Sequence, residues 1–471
     1  MSRETNLVKN TFLLSLGRFL PKAVQIITLP IITDCLTKAE YGTHDLISTL
    51  VMLLMPIATL QIQSAAFRFL IDCREDDKQK TEIISNILAV VFPVSFVVSL
   101  GLVIFYPGFN LIFRIVLAVY FFLESLESTL AQIARGVGNN KAYSIGAIAL
   151  AWINGLGIVL ALKMMNKGLM GLIVSIAFSY LIAFIYFCIT LKIWRYFKIS
   201  AINKSKTKEL IAYSWPMIPN NLSNWVLKLS DRLVITAYLG IGATAVYGVA
   251  NKIPNVLAMS QSVIVNAWQE NASMAVKDSD SSEYYSRVFD TVFSLMIGFT
   301  ALLIGFTPIM FKLLIRGNYE DSYIQMPLLI LAMFFYCMSG FHGGIYVAHK
   351  KTKSVGVTTM TAAAINLAID FLLVNHIGIT AGSISTLVAY IVLYVYRTLD
   401  SRKFQPIKYD FKKQGLLFAL VTAMLVMCFI RNFYLNCVNI VIGTIVFCIL
   451  NKKMMISVVK RIKRVFKKTT A

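Results

Sequence analysis

Residues 168–191 read GLMGLIVSIAFSYLIAFIYFCITL and contain no charged side chain. A helix needs about 20 apolar residues to cross the hydrocarbon core of a bilayer, so this segment is long enough to span one. Its apolar residues run continuously instead of alternating with polar residues, which favours a helix over a strand of a closed barrel. The segment therefore predicts a transmembrane helix.

Segments of the same character recur from Phe12 to Leu450. Of the 471 residues, 57% are hydrophobic and 14% are charged, whereas soluble domains contain about 25% charged residues. The sequence predicts an all-α integral membrane protein with about 14 transmembrane helices. The predicted spans are 11–33, 43–65, 82–106, 109–134, 142–163, 168–191, 210–238, 243–268, 287–315, 322–348, 354–374, 378–397, 415–432 and 434–451.

The net charge of +22 comes from 45 Lys+Arg and 23 Asp+Glu residues. In a soluble protein this excess would indicate nucleic-acid binding. Here most basic residues lie in alternate short segments between spans, on the inner side if the N-terminus is cytoplasmic. The positive-inside rule then predicts a multi-pass protein of the bacterial inner membrane, with both termini in the cytoplasm and no nucleic-acid partner. The first apolar run is too long for a signal peptide and lacks a cleavage pattern.

Motifs of catalysis and cofactor binding are missing from the sequence. The 7 cysteines show no CxxC spacing, the 4 histidines are scattered, and no P-loop pattern occurs. A membrane enzyme such as a sugar polymerase or glycosyltransferase would need catalytic groups on a sizeable loop, and the predicted outer loops are short. We therefore expect a non-enzymatic protein with no cofactor and no metal.

A basic segment, residues 192–209, separates the first twelve predicted spans into two groups of six. The sequence of residues 32–42 has a weak counterpart in residues 235–248 at a similar place in the second group. Such repeats are common in transporters whose substrate site lies between the halves, although chance similarity among apolar helices is an alternative. The predicted domains are an N-terminal six-helix lobe (1–198), a cytoplasmic basic linker (199–209), a C-terminal six-helix lobe (210–397), a cytoplasmic basic loop (398–414), two accessory helices (415–451) and a basic cytoplasmic tail (452–471).

The tail, residues 452–471, is predicted to contact lipid. Its lysines and arginines are interspersed with Ile456, Val459, Ile462 and Phe466. Basic segments of this composition lie at the membrane surface and are attracted to anionic lipids. We therefore expect anionic membrane lipids among the partners.

Ionisable residues occur inside the first predicted span. A charged side chain at mid-bilayer costs about 2.5–3.5 kcal/mol on insertion scales, so such residues normally face a protein interior or a watery cavity. Helical spacing places one set of polar residues on a single face of this span: Thr11, Ser15, Arg18, Lys22 and Gln25. The first span therefore presents a cationic stripe.

The seventh predicted span has a similar stripe. Asn221, Asn224, Lys228 and Asp231 share one face, and Arg232 follows Lys228 one turn later. Lys252 adds a positive charge in the eighth span. Two alternatives stay open, namely snorkelling of Lys252 to the interface and an ion pair between Lys228 and Asp231.

Together the two stripes predict a cationic cavity that binds an anion. Arginine offers a planar fork that matches phosphate oxygens, and lysine offers a point charge. The residues predicted to bind a diphosphate are Arg18, Lys22, Lys228, Arg232 and Lys252. The polar residues predicted to line the same cavity are Gln25, Asn221, Asn224 and Asp231.

Carboxylates inside the spans form a second set. Glu124 and Glu127 are three residues apart in the fourth span. They are predicted either to bind a coupling proton or sodium ion or to neutralise nearby cations. Asp290 and Asp370 lie near the ends of their spans and are predicted to be anchors or members of ion pairs.

Three local sequences resemble those of a known family. They are LPIIT at 29–33 with EYG at 40–42, ARGVGNNKAY at 134–143, and YGVANK at 247–252. With the span pattern of the whole chain, they resemble the Wzx-type polysaccharide flippases. These flippases belong to the multidrug/oligosaccharidyl-lipid/polysaccharide (MOP) exporter superfamily.

The resemblance implies two six-helix lobes in a V-shaped arrangement plus two accessory helices. It implies a flippase that moves undecaprenyl-diphosphate-linked oligosaccharide, such as an O-antigen precursor, from the cytoplasmic to the periplasmic leaflet by alternating access. The implied partners are this glycan and the polymerase and glycosyltransferases of its pathway. Arg18 and Lys22 lie where related flippases have basic residues. The alternative is a cation-coupled multidrug antiporter of the MATE type, for which carboxylates would be expected in place of cations.

Overall fold

The computed structural model describes residues 3–106, 108–276, 278, 280–452 and 455–456, and all regular structure in these residues is helical. The chain divides into two compact units, Met1–Trp225 and Val226–Ala471. The all-α fold class predicted from the sequence is therefore confirmed. Nearly all of the predicted lipid-binding tail, residues 452–471, lies outside the described residues, and the predicted lobe boundaries stay predictions.

The helices of the first unit follow one another with short connections. A π-helical segment (Val159–Met164) extends the sixth helix, and a 3₁₀ turn (Ile199–Ala201) lies between the last two. The helices are α1 (Arg3–Cys35), α2 (Lys38–Ala58), α3 (Ile62–Asp72), α4 (Asp77–Phe105), α5 (Leu111–Gly136), α6 (Asn140–Ile158), α7 (Gly168–Leu191), α8 (Ile193–Tyr196) and α9 (Lys204–Ser214).

The next helix contains the boundary between the units, and the remaining helices belong to the second unit. They are α10 (Met217–Leu239), α11 (Ile241–Ala250), α12 (Pro254–Ala275), α13 (Ser281–Leu314), α14 (Ser322–Ala348), α15 (Thr352–Ile377), α16 (Thr380–Ser401), α17 (Phe411–Ile430) and α18 (Phe433–Leu450). The two predicted accessory helices correspond to α17 and α18.

Ten helices of the described residues are long and apolar enough to cross a membrane, which supports a multi-pass membrane protein. They are α2, α4, α6 with its π-helical extension, α7 and α13 to α18. The other four predicted spans lie on α1, α5, α10 and the α11–α12 pair, which carry the intramembrane ionisable residues of the candidate site. The count of about 14 spans stays a prediction.

Three predicted spans are wrong as single helices. The span 210–238 breaks between α9 and α10, at the turn of Trp215 and Pro216. The span 43–65 breaks between α2 and α3, where Leu60 and Gln61 have φ angles of 47° and 52°. The span 243–268 breaks between α11 and α12, where Pro254 opens α12 at the position that tolerates a missing N–H. Local backbone geometry therefore interrupts three of the predicted spans.

The core of the first unit lies where α3, α4, α5 and α7 meet. Ile62, Leu70, Ile87 and Phe187 are among its fully buried members. α3 and α5 approach closely at Gly136, because a Cβ atom there would lie 2.8 Å from Leu70 Cβ and 2.9 Å from the Ala66 carbonyl oxygen. A glycine at this position lets the two helices touch.

The predicted basic linker, residues 199–209, is folded against α4. The Asn86 side chain is 0% exposed and donates to the Ala201 carbonyl oxygen at 3.1 Å. Its Oδ1 accepts from the Asn203 backbone N–H at 2.8 Å and from the Thr207 hydroxyl at 2.7 Å. The linker therefore has a fixed path over the end of α4.

Candidate functional site

The polar face of α1 is described from its middle onwards. Lys22 is exposed, and its ammonium donates to Gln25 Oε1 at 3.1 Å. The two residues are three apart, which places them on one face of the helix, as predicted. The side chain of Arg18 lies outside the described residues.

The cationic face of α10 begins with two half-buried asparagines, Asn221 and Asn224. Lys228 is exposed, and its Nζ lies 4.7 Å from the ring centre of Tyr336 on α14. An ammonium over an aromatic face is attracted by the ring quadrupole. The alternative ion pair between Lys228 and Asp231 is wrong, because the Asp231 carboxylate accepts hydrogen bonds from hydroxyl groups and is not paired with Lys228.

The other two predicted diphosphate ligands of the second unit differ in burial. Arg232 is 6% exposed, and its guanidinium carbon lies 5.8 Å from the ring centre of Tyr247. Lys252 is half-buried and lies in the turn between α11 and α12. Asn251 precedes it and donates from Nδ2 to the Tyr247 carbonyl oxygen at 2.9 Å, which closes the end of α11. Lys252 thus projects from a helix break and not from a continuous span.

Asp231 lies at the centre of a buried polar cluster. The residue is 1% exposed, and its Oδ2 accepts from the hydroxyls of Tyr247 and of Thr386 on α16, the latter at 2.7 Å. The Tyr247 hydroxyl also lies 3.2 Å from the Gly382 carbonyl oxygen. Oxygen atoms from α10, α11 and α16 therefore converge here.

Asp370 on α15 completes this cluster. The residue is 1% exposed, its carboxyl contacts that of Asp231, and its Oδ1 accepts from the Ser385 hydroxyl at 2.7 Å. Asn366, one turn earlier, donates to Ser385 at 3.2 Å. The second oxygen of each carboxyl has no hydrogen-bond donor within the described parts of the chain. We call Asp231, Asp370, Asn366, Ser385 and Thr386 the aspartate cluster.

The aspartate cluster was missed in the sequence because Asp370 is near the end of its span. A signal was available, since Asn366 and Asp370 are four residues apart and must share a face of α15. The prediction for Asp290 differs in outcome. Its carboxylate forms an ion pair with Lys413 Nζ at 2.8 Å, as expected for a paired anchor.

Glu124 and Glu127 lie together inside the first unit. The Tyr180 hydroxyl of α7 donates to Glu124 Oε1 at 3.0 Å, and the Tyr180 ring lies 5.7 Å from that of Tyr120 on α5. Glu127 is 8% exposed. Across the described residues, neither carboxylate forms an ion pair, so neutralisation of a neighbouring cation is not observed.

Chemically, the site residues fall into cations and buried acids. Lys228 and Lys22 carry charge suited to an anionic ligand, whereas the aspartate cluster offers only oxygen ligands. Hard monovalent and divalent cations prefer such oxygen sets. No group of three or more His, Cys, Asp or Glu side chains fit for a metal occurs among the described residues.

Comparisons with known proteins place the chain in a family and a fold. A family model described as "Polysaccharide biosynthesis protein" matches residues 7–269, which is more than half of the chain. No curated protein matches.

Solved structures show the fold. The structure of "Lipid II flippase MurJ, inward closed conformation" has a TM-score of 0.68 and 13% identity, covering 95% of this chain and 100% of that one. An inward-facing MATE transporter of the MOP superfamily has a TM-score of 0.65 and 13% identity, covering 83% and 95%. An outward-facing MATE transporter has a TM-score of 0.59 and 12% identity, covering 84% and 95%. The chain has the fold of MOP transporters, in agreement with the resemblance seen in its sequence.

Proposed function

Because the chain belongs to the polysaccharide biosynthesis protein family and has the MOP transporter fold, we propose that it is a lipid-linked saccharide flippase. Its substrate is an undecaprenyl-diphosphate-linked oligosaccharide, which it moves from the cytoplasmic to the periplasmic leaflet of the bacterial inner membrane. Both termini lie in the cytoplasm, and the polymerase and glycosyltransferases of the pathway are its partners.

One observation carries this proposal. Lys228 lies near the middle of α10, contacts the ring of Tyr336 and forms no ion pair with a carboxylate in the described part of the protein. A cation near the middle of a membrane-spanning helix is costly without an acidic partner, unless water or an anionic ligand compensates for its charge. The diphosphate supplies that negative charge.

The remaining predicted ligands lie in both units. Arg18, Lys22, Arg232 and Lys252 contribute further positive charge, and Gln25, Asn221 and Asn224 offer hydrogen bonds to phosphate or sugar oxygens. Guanidinium and ammonium groups bind phosphate through charge-assisted hydrogen bonds. The lipid tail stays in the bilayer while the head group crosses by alternating access.

Two sources of free energy suit this transport. Outward movement of an anion across a membrane that is negative inside is downhill by about 2.3 kcal/mol per charge per 100 mV. In addition, the aspartate cluster binds a monovalent cation such as sodium through carboxylate, hydroxyl and carbonyl oxygens. A cation between Asp231 and Asp370 would remove the repulsion between the two carboxylates.

A multidrug antiporter is the second candidate function, and the aspartate cluster is the observation that favours it. Buried carboxylates would suit a cationic drug exchanged for an inorganic cation. Drug-resistance assays and a saccharide translocation assay on the same overexpressing strain separate the two functions. Drug extrusion without translocation would overturn the flippase.

The direct test is translocation of a lipid-linked oligosaccharide in vesicles that contain the purified protein. We expect Lys228→Ala to reduce the rate at least tenfold, because a charge-assisted phosphate contact contributes about 1.5–3 kcal/mol. Lys141→Ala is the matched control, since Lys141 is exposed in the first turn of α6 and its substitution should leave the rate unchanged. Full activity of Lys228→Ala would contradict the proposal.

A further inference from the structure

The two glutamates of the first unit occupy a costly position. Glu124 and Glu127 follow Leu111, the first residue of α5, by 13 and 16 residues. With a rise of about 1.5 Å per residue, they lie about 20–24 Å along a helix long enough to cross the membrane. Carboxylates at such depth normally serve ion or proton movement.

Glu124 has a hydrogen-bond donor to its carboxylate. Tyr180 donates from α7 at 3.0 Å, and the ring of Tyr120, one turn earlier on α5, lies 5.7 Å from the Tyr180 ring. Hydrogen bonds to the charged form of a carboxylate stabilise that form. The Tyr180 hydrogen bond therefore favours the ionised form of Glu124 over that of Glu127.

Glu127 has the opposite surroundings. It is more than nine-tenths buried, and it has neither a hydrogen-bond donor nor a cationic partner in the described residues. The titratable groups that face it are Glu124 on its own helix and Tyr180 on α7. Residues three apart on a helix are neighbours, so a second negative charge on Glu127 would lie beside the first.

The second oxygen of Glu124 points to the same conclusion. Glu124 Oε2 is buried and accepts no hydrogen bond in the described chain. A carboxylic acid on Glu127 could donate its proton towards this oxygen, whereas two bare carboxylates could not satisfy each other. Each unsatisfied buried polar atom costs about 1–3 kcal/mol, so the pair with one shared proton is lower in free energy than the pair with two ionised carboxylates.

We propose that Glu124 and Glu127 form a proton-binding site of the first unit, separate from the aspartate cluster. The pair holds one proton, and Glu127, which has no hydrogen-bond donor in the described residues, is the residue that takes it up and releases it. Tyr180 is a positioning residue, because it acts through Glu124. The site gives the protein a proton-dependent step whatever solute it carries.

The test measures protonated carboxyl groups by infrared spectroscopy on the full-length protein in lipid vesicles, titrated through neutral and alkaline pH. We expect the wild-type protein to show a protonated-carboxyl band that disappears as the pH rises. Glu127→Gln should lose this component, whereas Glu124→Gln should retain it at low pH. Glu283→Gln is the matched control, because Glu283 is an exposed acid whose removal should leave the band unchanged.

Several outcomes would overturn the proposal. They are a Glu127→Gln spectrum identical to that of the wild type, loss of the component only in Glu124→Gln, or a band that responds to added sodium but not to pH. Thermal unfolding of each variant shows whether it is folded. If Glu127→Gln is unstable, Tyr180→Phe replaces it and should alter the titration of the band. Because no saccharide is used, the result is independent of the flippase function.

Discussion

The carboxyl groups of Asp231 on α10 and Asp370 on α15 are in contact, and each residue is only 1% exposed. Two adjacent buried carboxyl groups cannot both be ionised unless positive charge lies between them. Hydroxyls of Tyr247, Thr386 and Ser385 surround the pair and leave one oxygen of each carboxyl without a donor. The folded protein therefore holds either a bound cation or a shared proton between the carboxyl groups of Asp231 and Asp370.

The aspartate cluster predicts stabilisation by sodium. At a sodium concentration of a hundred times Kd, the folded protein should gain about 2.7 kcal/mol. Thermal unfolding of the purified protein in sodium chloride and in N-methylglucamine chloride of equal ionic strength measures this gain. Asp370→Asn should abolish the difference, and Asp278→Asn, at an exposed position, should preserve it. Equal unfolding temperatures of the wild type in both salts would refute sodium binding.

The contact between Lys228 and Tyr336 predicts a graded effect of ring substitution. Tyr336→Leu removes the aromatic face and should weaken binding of a lipid-linked diphosphate by about 0.5–2 kcal/mol, because the ammonium loses its position. Tyr336→Phe keeps a ring and should fall between Tyr336→Leu and the wild type. Binding of the lipid-linked saccharide to protein in detergent is the measurement. The same affinity for Leu and Tyr at this position would show that the ring does not position Lys228.

The close contact at Gly136 predicts a steric penalty. Gly136→Ala places a methyl group 2.8 Å from Leu70 Cβ and should destabilise the protein by about 1–3 kcal/mol. Gly101→Ala in α4 is the matched control, since nothing lies within 4 Å of its Cβ position. This control should be neutral or gain about 0.5–1 kcal/mol from helix propensity. Chemical or thermal unfolding compares the two, and equal stability would disprove the helix contact.

The Asn86 hydrogen bonds predict that the basic linker resists proteases. Asn86→Ala should cost about 1–3 kcal/mol, because it removes the hydrogen bonds of a buried side chain to Ala201, Asn203 and Thr207. Limited trypsin digestion should then cleave faster at the lysines of residues 204–208. Asn255→Ala serves as a control, because Asn255 is exposed. An unchanged cleavage rate for Asn86→Ala would mean that the side chain does not fix the linker.

The sequence predicted the apolar helices well, because membrane spans are recognised from composition and length alone. It did not predict the break at Leu60 and Gln61, since their positive φ angles belong to residue types that usually continue a helix. The break before Pro254 could have been predicted from the proline itself. Backbone geometry imposed by packing therefore sets the limit of span prediction.

The candidate site was predicted in part. Spacing placed Lys22 with Gln25 and Glu124 with Glu127 correctly, because both pairs are local on one helix. Spacing also suggested an ion pair between Lys228 and Asp231, which the structure does not contain. Each of the two residues contacts side chains that are distant in sequence instead. Tyr336 holds the lysine, while residues more than 130 positions away complete the aspartate cluster. Contacts of this kind cannot be inferred without the tertiary structure.

The anchored path of residues 199–209 has a practical consequence for building chimaeras. A foreign domain or epitope inserted there would have to displace the backbone from the Asn86 amide. The insertion would therefore disturb the first unit. The turn at Trp215 and Pro216, after α9 has ended, is the better place to divide the gene into two co-expressed fragments. A segment that the sequence presents as a linker is thus packed against the first unit as part of its structure.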